Sequence, residues 1–408
     1  MKKVAIITSG YFPVPPVKGG AIEALINMLI EENNVEKHLN LFVYSMYDEQ
    51  AEKKANRNEY TKIVFIKIPE LIKKMDLVVY NIAKKVLKKK KHMSYRYILQ
   101  RIYFINQVSK DLSHNCYDSV IFENHPTLLN ALKKYNNFEK YKDKYYYHAH
   151  NEIFNTFGTD TLLENVKKYI CVSEFIQKSI SNKLAINDDD RFVILKNKVD
   201  ENKFGLCDTA KIKEFATRYN IPKGYTIFTF TGRLNPEKGV KELLEAYRIA
   251  HPKKSKLVIA GSYFFGSGMK SNYEKKLEEI AAEIGDDIIF TGNIDYSNMP
   301  LLYMISDVIV LPSIWNDPAP LTVIESLTCG KPLITTYSGG IPEYANSNNS
   351  LIYRIDENLI QNLAGGITLL ANEKNERKRL SDEAKKESVN WTKKSYYIDF
   401  ENSLKWGE

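Results

Sequence analysis

The loop Thr231-Gly232-Arg233-Leu234-Asn235-Pro236-Glu237-Lys238-Gly239 places two cations just after a strand-like run that begins at Ile227. Arg233 offers a planar fork and Lys238 a point charge. Two such cations at the end of a buried strand can neutralise a diphosphate leaving group. Two solvated surface cations are the plain alternative. The segment from Leu311 to Gly330 holds a Pro-rich loop and then a helical pattern that Gly330 and Pro332 stop. Val323, Ile324 and Leu327 make its apolar side, while Thr322, Glu325 and Cys329 share another. Glu325 then lies one turn beyond a free helix N-terminus, where a carboxylate can bind a pair of sugar hydroxyls. Asp317 in the loop before it is a second acceptor, although capping or surface roles would use the same acids. Near the N-terminus, residues 11–20 end in Gly19-Gly20 before a helix begins at Ala21. That arrangement can bring backbone N–H groups close to an anion, or simply form a tight turn. Glu23 in the first turn suits the helix dipole.

Positioning these groups requires an alternating scaffold. Apolar runs at residues 4–8, 41–45, 63–68, 119–123, 145–150 and 169–172 predict strands in the first half. Runs at 227–231, 256–260, 288–291, 308–311 and 332–336 predict them in the second. Several are nearly unbroken hydrophobic stretches, as parallel strands covered on both faces should be. Helical patterns lie between them; Val240, Leu243, Leu244 and Tyr247 follow the i, i+3, i+4, i+7 spacing. The alternation predicts an α/β protein of two Rossmann-like doubly wound domains. It pauses once, across residues 197–224, and the domain junction is assigned to the start of that stretch. The expected domains are 1–196 and 197–388, and ligands should bind in the cleft they form.

The 408 residues suffice for two ordinary cores. No apolar stretch approaches the roughly 20 residues of a membrane helix, and the run at 4–7 is too short for a signal-peptide core. A cytoplasmic protein is expected. Cys116, Cys171, Cys207 and Cys329 are widely spaced, which disfavours a zinc site or a disulfide framework. The net charge of +8 is uneven: residues 1–200 carry 32 basic against 23 acidic groups, hence +9. Much of the excess sits at Lys84, Lys85, Lys88, Lys89, Lys90 and Lys91, beside Val79, Ile82, Ala83, Val86 and Leu87. This run reads either as a solvated helix face or as a surface for anionic lipid.

Together these segments resemble glycosyltransferase family 4, most strongly over residues 227–343. The resemblance implies the GT-B architecture, with the two domains facing a central cleft and a C-terminal helix at 389–408 crossing back to the first. It implies that Arg233 and Lys238 bind the donor diphosphate, with the backbone N–H groups of Leu321 and Thr322 nearby. Gly19-Gly20 would reach the same phosphates. The family's acidic pair, a Glu followed by seven residues and a Glu, is here Asp317 and Glu325. By resemblance Asp317 contacts the donor sugar and Glu325 the ribose. Thr291-Gly292-Asn293-Ile294 looks like the loop that holds the base. Many relatives carry a histidine at the end of the fourth strand, where Glu123 stands here, with His125 two residues on. The stretch Tyr147-His148-Ala149-His150-Asn151 is similar to a family segment bordering the acceptor. Glu123, His125, His150 and Asp317 are therefore the candidates at the reacting centre.

The resemblance implies a retaining transfer of a hexosyl group from a nucleoside diphosphate sugar, a UDP-sugar first, to an acceptor hydroxyl. No metal or other cofactor is expected, since the cations and helix-end N–H groups replace a divalent ion. The acceptor is expected to be a glycan or a lipid-linked glycan of surface polysaccharide or glycoconjugate synthesis. An anionic membrane surface is a candidate partner, with peripheral association, and nucleic acid is not. The alternative is a catalytically silent relative serving as a partner subunit or binding module. A nicotinamide-dependent oxidoreductase is disfavoured, because Gly10, Gly19 and Gly20 do not fit G-x-G-x-x-G.

Overall fold

The computed structural model describes residues 1–55, 59–85, 97–205, 208–262 and 271–404. The chain forms two compact units, residues 1–196 with 396–408, and residues 197–395.

In the first unit seven strands form one parallel sheet. They are β1 (Lys2–Ile7), β2 (Leu39–Met46), β3 (Thr61–Ile66), β4 (Ser119–Glu123), β5 (Tyr145–Ala149), β6 (Lys168–Cys171) and β7 (Phe192–Ile194). Their spatial order is β3-β2-β1-β4-β5-β6-β7. The chain therefore works outward from β1 in one direction and then, from β4, in the other. That reversal opens a crevice beyond the carboxyl ends of β1 and β4, because the two crossovers leave on opposite faces. β4 and β5 are buried along their whole length, which is why their sequences lack polar alternation.

The second unit repeats the plan with β8 (Thr226–Thr231), β9 (Ser255–Ala260), β10 (Ile288–Gly292), β11 (Val308–Leu311), β12 (Leu333–Thr336) and β13 (Ser350–Tyr353). The order β10-β9-β8-β11-β12-β13 puts its reversal between β8 and β11. The Val240–Ala250 helix buries Val240, Leu243, Leu244 and Tyr247, the stripe its spacing predicts.

The short edge strands β7 and β13 were not anticipated from the sequence. Both lie at sheet edges with most of their residues only half buried, so their short runs do not stand out as buried strands. β5 also stops at Ala149, so His150 lies just past the strand. Near the C-terminus Trp391 packs edge-on against Tyr344 in the second unit, with ring centroids 5.5 Å apart. The Lys393–Ser403 helix then supplies Tyr396, Tyr397 and Phe400 to the core of the first unit, and Leu404 follows them. The Tyr397 hydroxyl donates to Asn33 Oδ1 at 2.8 Å, and the Tyr146 hydroxyl donates to the Leu404 carbonyl at 2.7 Å.

Candidate active site

At the crevice of the second unit, β8 runs into a loop that ends in a single turn, Pro236–Lys238. Gly239 terminates that turn in the left-handed region, at φ 69°. A side chain there would meet the Pro312 carbonyl at 1.9 Å, so glycine lets the β8 loop lie against the end of β11. The Ile314 N–H donates to the Glu237 carbonyl at 3.0 Å and fastens the two loops. Lys238 thereby reaches Asp317, and its ammonium forms an ion pair with Asp317 Oδ2. The same ammonium lies 5.9 Å from the centre of the Trp315 ring. Asp317 is only 6% exposed and is held from behind: the Gly340 N–H donates to its carbonyl at 2.8 Å. Gly339, at φ 55°, has no room for a side chain against that same carbonyl.

The Leu321–Thr328 helix begins directly after this loop, with Pro320 at its N-cap and no capping side chain. Its first intrahelical bonds are made by Val323 and Ile324 to the Pro320 carbonyl. The N–H groups of Leu321 and Thr322 precede them and point out of the helix start. A small cavity lies between Gly232, Lys238, Asp317 and Thr322. Arg233 stands beside it on the β8 loop, exposed and in no ion pair among the described residues. A cation, a second, exposed cation and free N–H groups around one cavity form a receptor for a phosphate chain.

Glu325 is placed differently from the simple reading of its helix face. It is 2% exposed, and both its oxygens are occupied. Tyr303 donates to Oε2 at 2.7 Å and Tyr296 to Oε1 at 3.0 Å. Burial raises its pKa, and the two phenol bonds oppose that rise. A ribose hydroxyl would have to replace one phenol. Tyr296 is the available one, since it is exposed on the loop that also carries Ile294, whereas Tyr303 is fully buried. Neither partner is legible from residue spacing, because both belong to the segment before β11.

At the crevice of the first unit, Gly19 and Gly20 adopt φ 78° and 110° ahead of the Ala21–Glu36 helix. The anion at this helix start is the protein's own Glu23. Its carboxylate accepts from Ser9 Oγ at 3.0 Å, and a side chain at residue 20 would collide with Oε2 at 2.1 Å. Burial lifts the Glu23 pKa to about 7, against the pull of its own backbone N–H and Ser9, with the Glu123 charge adding to the rise.

Glu123 ends β4 fully buried, opposite His148 in the register of β5. His148 Nδ1 lies 3.2 Å from Oε1, and His150 Nε2 lies 3.0 Å from Oε2. Burial opposes ionisation of Glu123, yet the two imidazoles hold its carboxyl down to about 2. Burial, and then the neighbouring His148, push His150 down to about 4. The ligand atoms of these three residues lie within 4.8 Å of one another and could hold a metal ion. The imidazole–carboxylate hydrogen bonds already account for the trio without one. His148 was missed as a candidate, although the His-x-His alternation on a strand puts both rings on one face.

His125 sits apart from that trio. It caps the turn that follows β4, with Nδ1 2.9 Å from Thr127 Oγ1, and its ring stacks on Phe157. Burial, with the Arg101 charge second, lowers its pKa to about 4. The lysine run at 88–91 lies outside the described residues.

Residues 211–387 match the family model described as "Glycosyl transferases group 1". The putative glycosyltransferase YtcC of Bacillus subtilis is 28% identical over 350 residues, covering 83% of this chain and 75% of that protein. The lipopolysaccharide 1,2-N-acetylglucosaminetransferase of Salmonella typhimurium is 33% identical over 128 residues, 31% of this chain and 34% of that one. Among solved structures, Anabaena HepE in complex with UDP and glucose superposes with a TM-score of 0.70 at 16% identity, covering 99% of both chains. These likenesses give the chain the GT-B fold and support a glycosyltransferase function.

Proposed function

We propose that this chain is a retaining glycosyltransferase of the family 4 kind, moving a hexosyl group from a UDP-sugar to an acceptor hydroxyl. The observation that carries the reading is the Lys238–Asp317 ion pair beside the uncapped start of the Leu321–Thr328 helix. The HepE structure holds UDP and glucose, which supports a uridine nucleotide as the donor.

In this reading the diphosphate takes Lys238 from Asp317. Arg233, Lys238 and the N–H groups of Leu321 and Thr322 bear the charge that grows as the bond from C1 to the diphosphate oxygen breaks. Asp317, released from the ammonium, accepts from the sugar hydroxyls. The acceptor oxygen bonds to C1, and its proton passes to the departing diphosphate, so no added metal or cofactor is called on. Glu123, His125 and His150 belong to the acceptor side.

The acceptor is proposed to be a glycan or lipid-linked glycan at an anionic membrane surface. None of the helices of the described residues is long and apolar enough to cross a membrane. The Glu70–Lys85 helix, however, exposes Leu71, Met75, Val78 and Ile82, which recur on one face. Ile98 and Ile102 of the Ile98–His114 helix are exposed as well. An apolar stripe leading into the lysine run is the composition of a helix that lies at a lipid interface. Release of UDP from UDP-glucose or UDP-N-acetylglucosamine, measured with and without added glycan, tests the activity. Flotation with anionic against neutral vesicles tests the surface.

A further inference from the structure

Arg101 is a buried cation with no carboxylate partner among the described residues. It lies in the first turns of the Ile98–His114 helix, is 7% exposed, and no carboxylate acts on it. Its Nε donates to Thr127 Oγ1 at 2.8 Å, but both terminal nitrogens are buried and unbonded. The Tyr11 ring covers the guanidinium, 4.5 Å from its carbon. Tyr11 is itself about half exposed and stands next to Gly10 in the loop after β1. A guanidinium withdrawn from water with two unsatisfied ends is costly, and chains rarely keep one without a reason.

The groups around Arg101 are also short of acceptors. The Tyr147 hydroxyl, near enough to feel the Arg101 charge, is buried with no hydrogen-bond partner. His125 feels that charge too. Thr127 Oγ1 receives the Arg101 N–H, so its own hydrogen is free to go to His125 Nδ1, which also receives the Thr127 backbone N–H. That assigns the imidazole proton to Nε2. Arg101 and His125 then present free donor hydrogens beside the Tyr147 hydroxyl, and apart from the Tyr11 hydroxyl, which helps to hold the guanidinium, no acceptor among the described residues meets them.

We infer that Arg101, with Tyr147 and His125, forms an oxyanion site in the N-terminal unit that takes a phosphate group once Tyr11 turns aside. An ionised phosphate is the complement of such a donor-rich cluster, because it accepts at every oxygen and neutralises the guanidinium. Resting on the glycosyltransferase reading, this makes the acceptor a phosphorylated molecule, bound through its phosphate while a hydroxyl reacts. The site itself does not depend on that reading.

The test is a ligand-observed ³¹P NMR titration of the full chain with inorganic phosphate, with UDP present to fill the donor site. Saturable phosphate binding is expected in the wild type and in K238A. R101M should weaken it at least about tenfold. R101M should melt no lower than wild type, since it removes an unpaired buried charge. Y147F guards against a folding defect: it deletes a hydroxyl that bonds nothing, so it should fold normally and bind phosphate several-fold more weakly. Phosphate binding that is absent from the wild type, or unchanged in both R101M and Y147F, overturns the proposal. Vesicles of phosphatidic acid in phosphatidylcholine separate the sources. If R101M floats less than wild type, the phosphate belongs to a lipid headgroup. Equal flotation, with inorganic phosphate binding lost, assigns it to a soluble acceptor. A chain that binds phosphate through Arg101 but never UDP would contradict the donor reading and leave this site standing.

Discussion

Lys238 and Asp317 come from loops at the ends of neighbouring strands, β8 and β11, and are joined as an ion pair at the mouth of a small cavity. The pair is a placeholder on the donor reading: the cation waits on a carboxylate that the substrate displaces. This separates the roles of its members. K238A should weaken UDP binding at least about tenfold, as loss of a charge-assisted hydrogen bond does. D317N should leave UDP affinity equal or a few-fold tighter, since the ammonium is freed, while sugar transfer falls. Calorimetry with UDP, paired with a transfer assay, checks both. Equal loss of UDP binding in the two variants would mean the pair only holds the loops together.

Tyr303 and Glu325 define a second prediction. Phenylalanine at 303 removes one of two donors from a buried carboxylate. Y303F should destabilise the chain by about 1–3 kcal/mol, the usual cost of leaving such a group short of a partner. Y296F should cost less, because Tyr296 is exposed. Urea denaturation of both variants tests the order.

Glu23 makes stability depend on pH. Its folded pKa stands at about 7 against an ordinary 4.5, so the folded state binds the proton more tightly than the unfolded chain. The contribution is fully present below 4.5 and is lost as pH rises to about 7, on the order of 2–3 kcal/mol in all. E23Q keeps the neutral form at every pH. Its melting temperature relative to wild type should therefore climb between pH 5 and 8 by several degrees. A constant difference across that range would contradict the buried, proton-hungry carboxyl. Glu123 works in the opposite sense: its stabilisation is present above 4.5 and disappears as pH falls through about 2.

The C-terminal residues bear on the first unit alone. Deleting residues 396–408 removes Tyr396, Tyr397, Phe400 and Leu404 from its core and strips the bonds to Asn33 and Tyr146. Limited proteolysis of the truncated chain should cut within residues 1–196 and spare 197–395. Protection of both halves would contradict this assignment.

Much of this architecture could be read from the chain. Buried parallel strands such as β9 and β11 announce themselves as nearly unbroken apolar runs, and the glycines at 19, 20 and 239 mark turns that other residues would strain. The edge strands β7 and β13 were not read, because most of their few residues are only half buried and do not stand out as buried strands. Among the site residues, Lys238 and Asp317 were recognisable by their place at strand ends. The partners of Glu325 were not, since Tyr296 and Tyr303 are brought to it only by packing of the segment before β11. Arg101 looked like any charged helix residue. Only its burial beneath Tyr11, with both ends unbonded, distinguishes it.

The central claim is that the Lys238 site holds a nucleotide sugar and breaks its C1–oxygen bond. Incubating the full chain with UDP-glucose and with UDP-N-acetylglucosamine, and following UDP release, tests it most directly. The account predicts that one of them yields UDP, that added glycan accelerates the release, and that K238A abolishes it. UDP that binds with an affinity unchanged by K238A, together with no release from either sugar nucleotide, would contradict it.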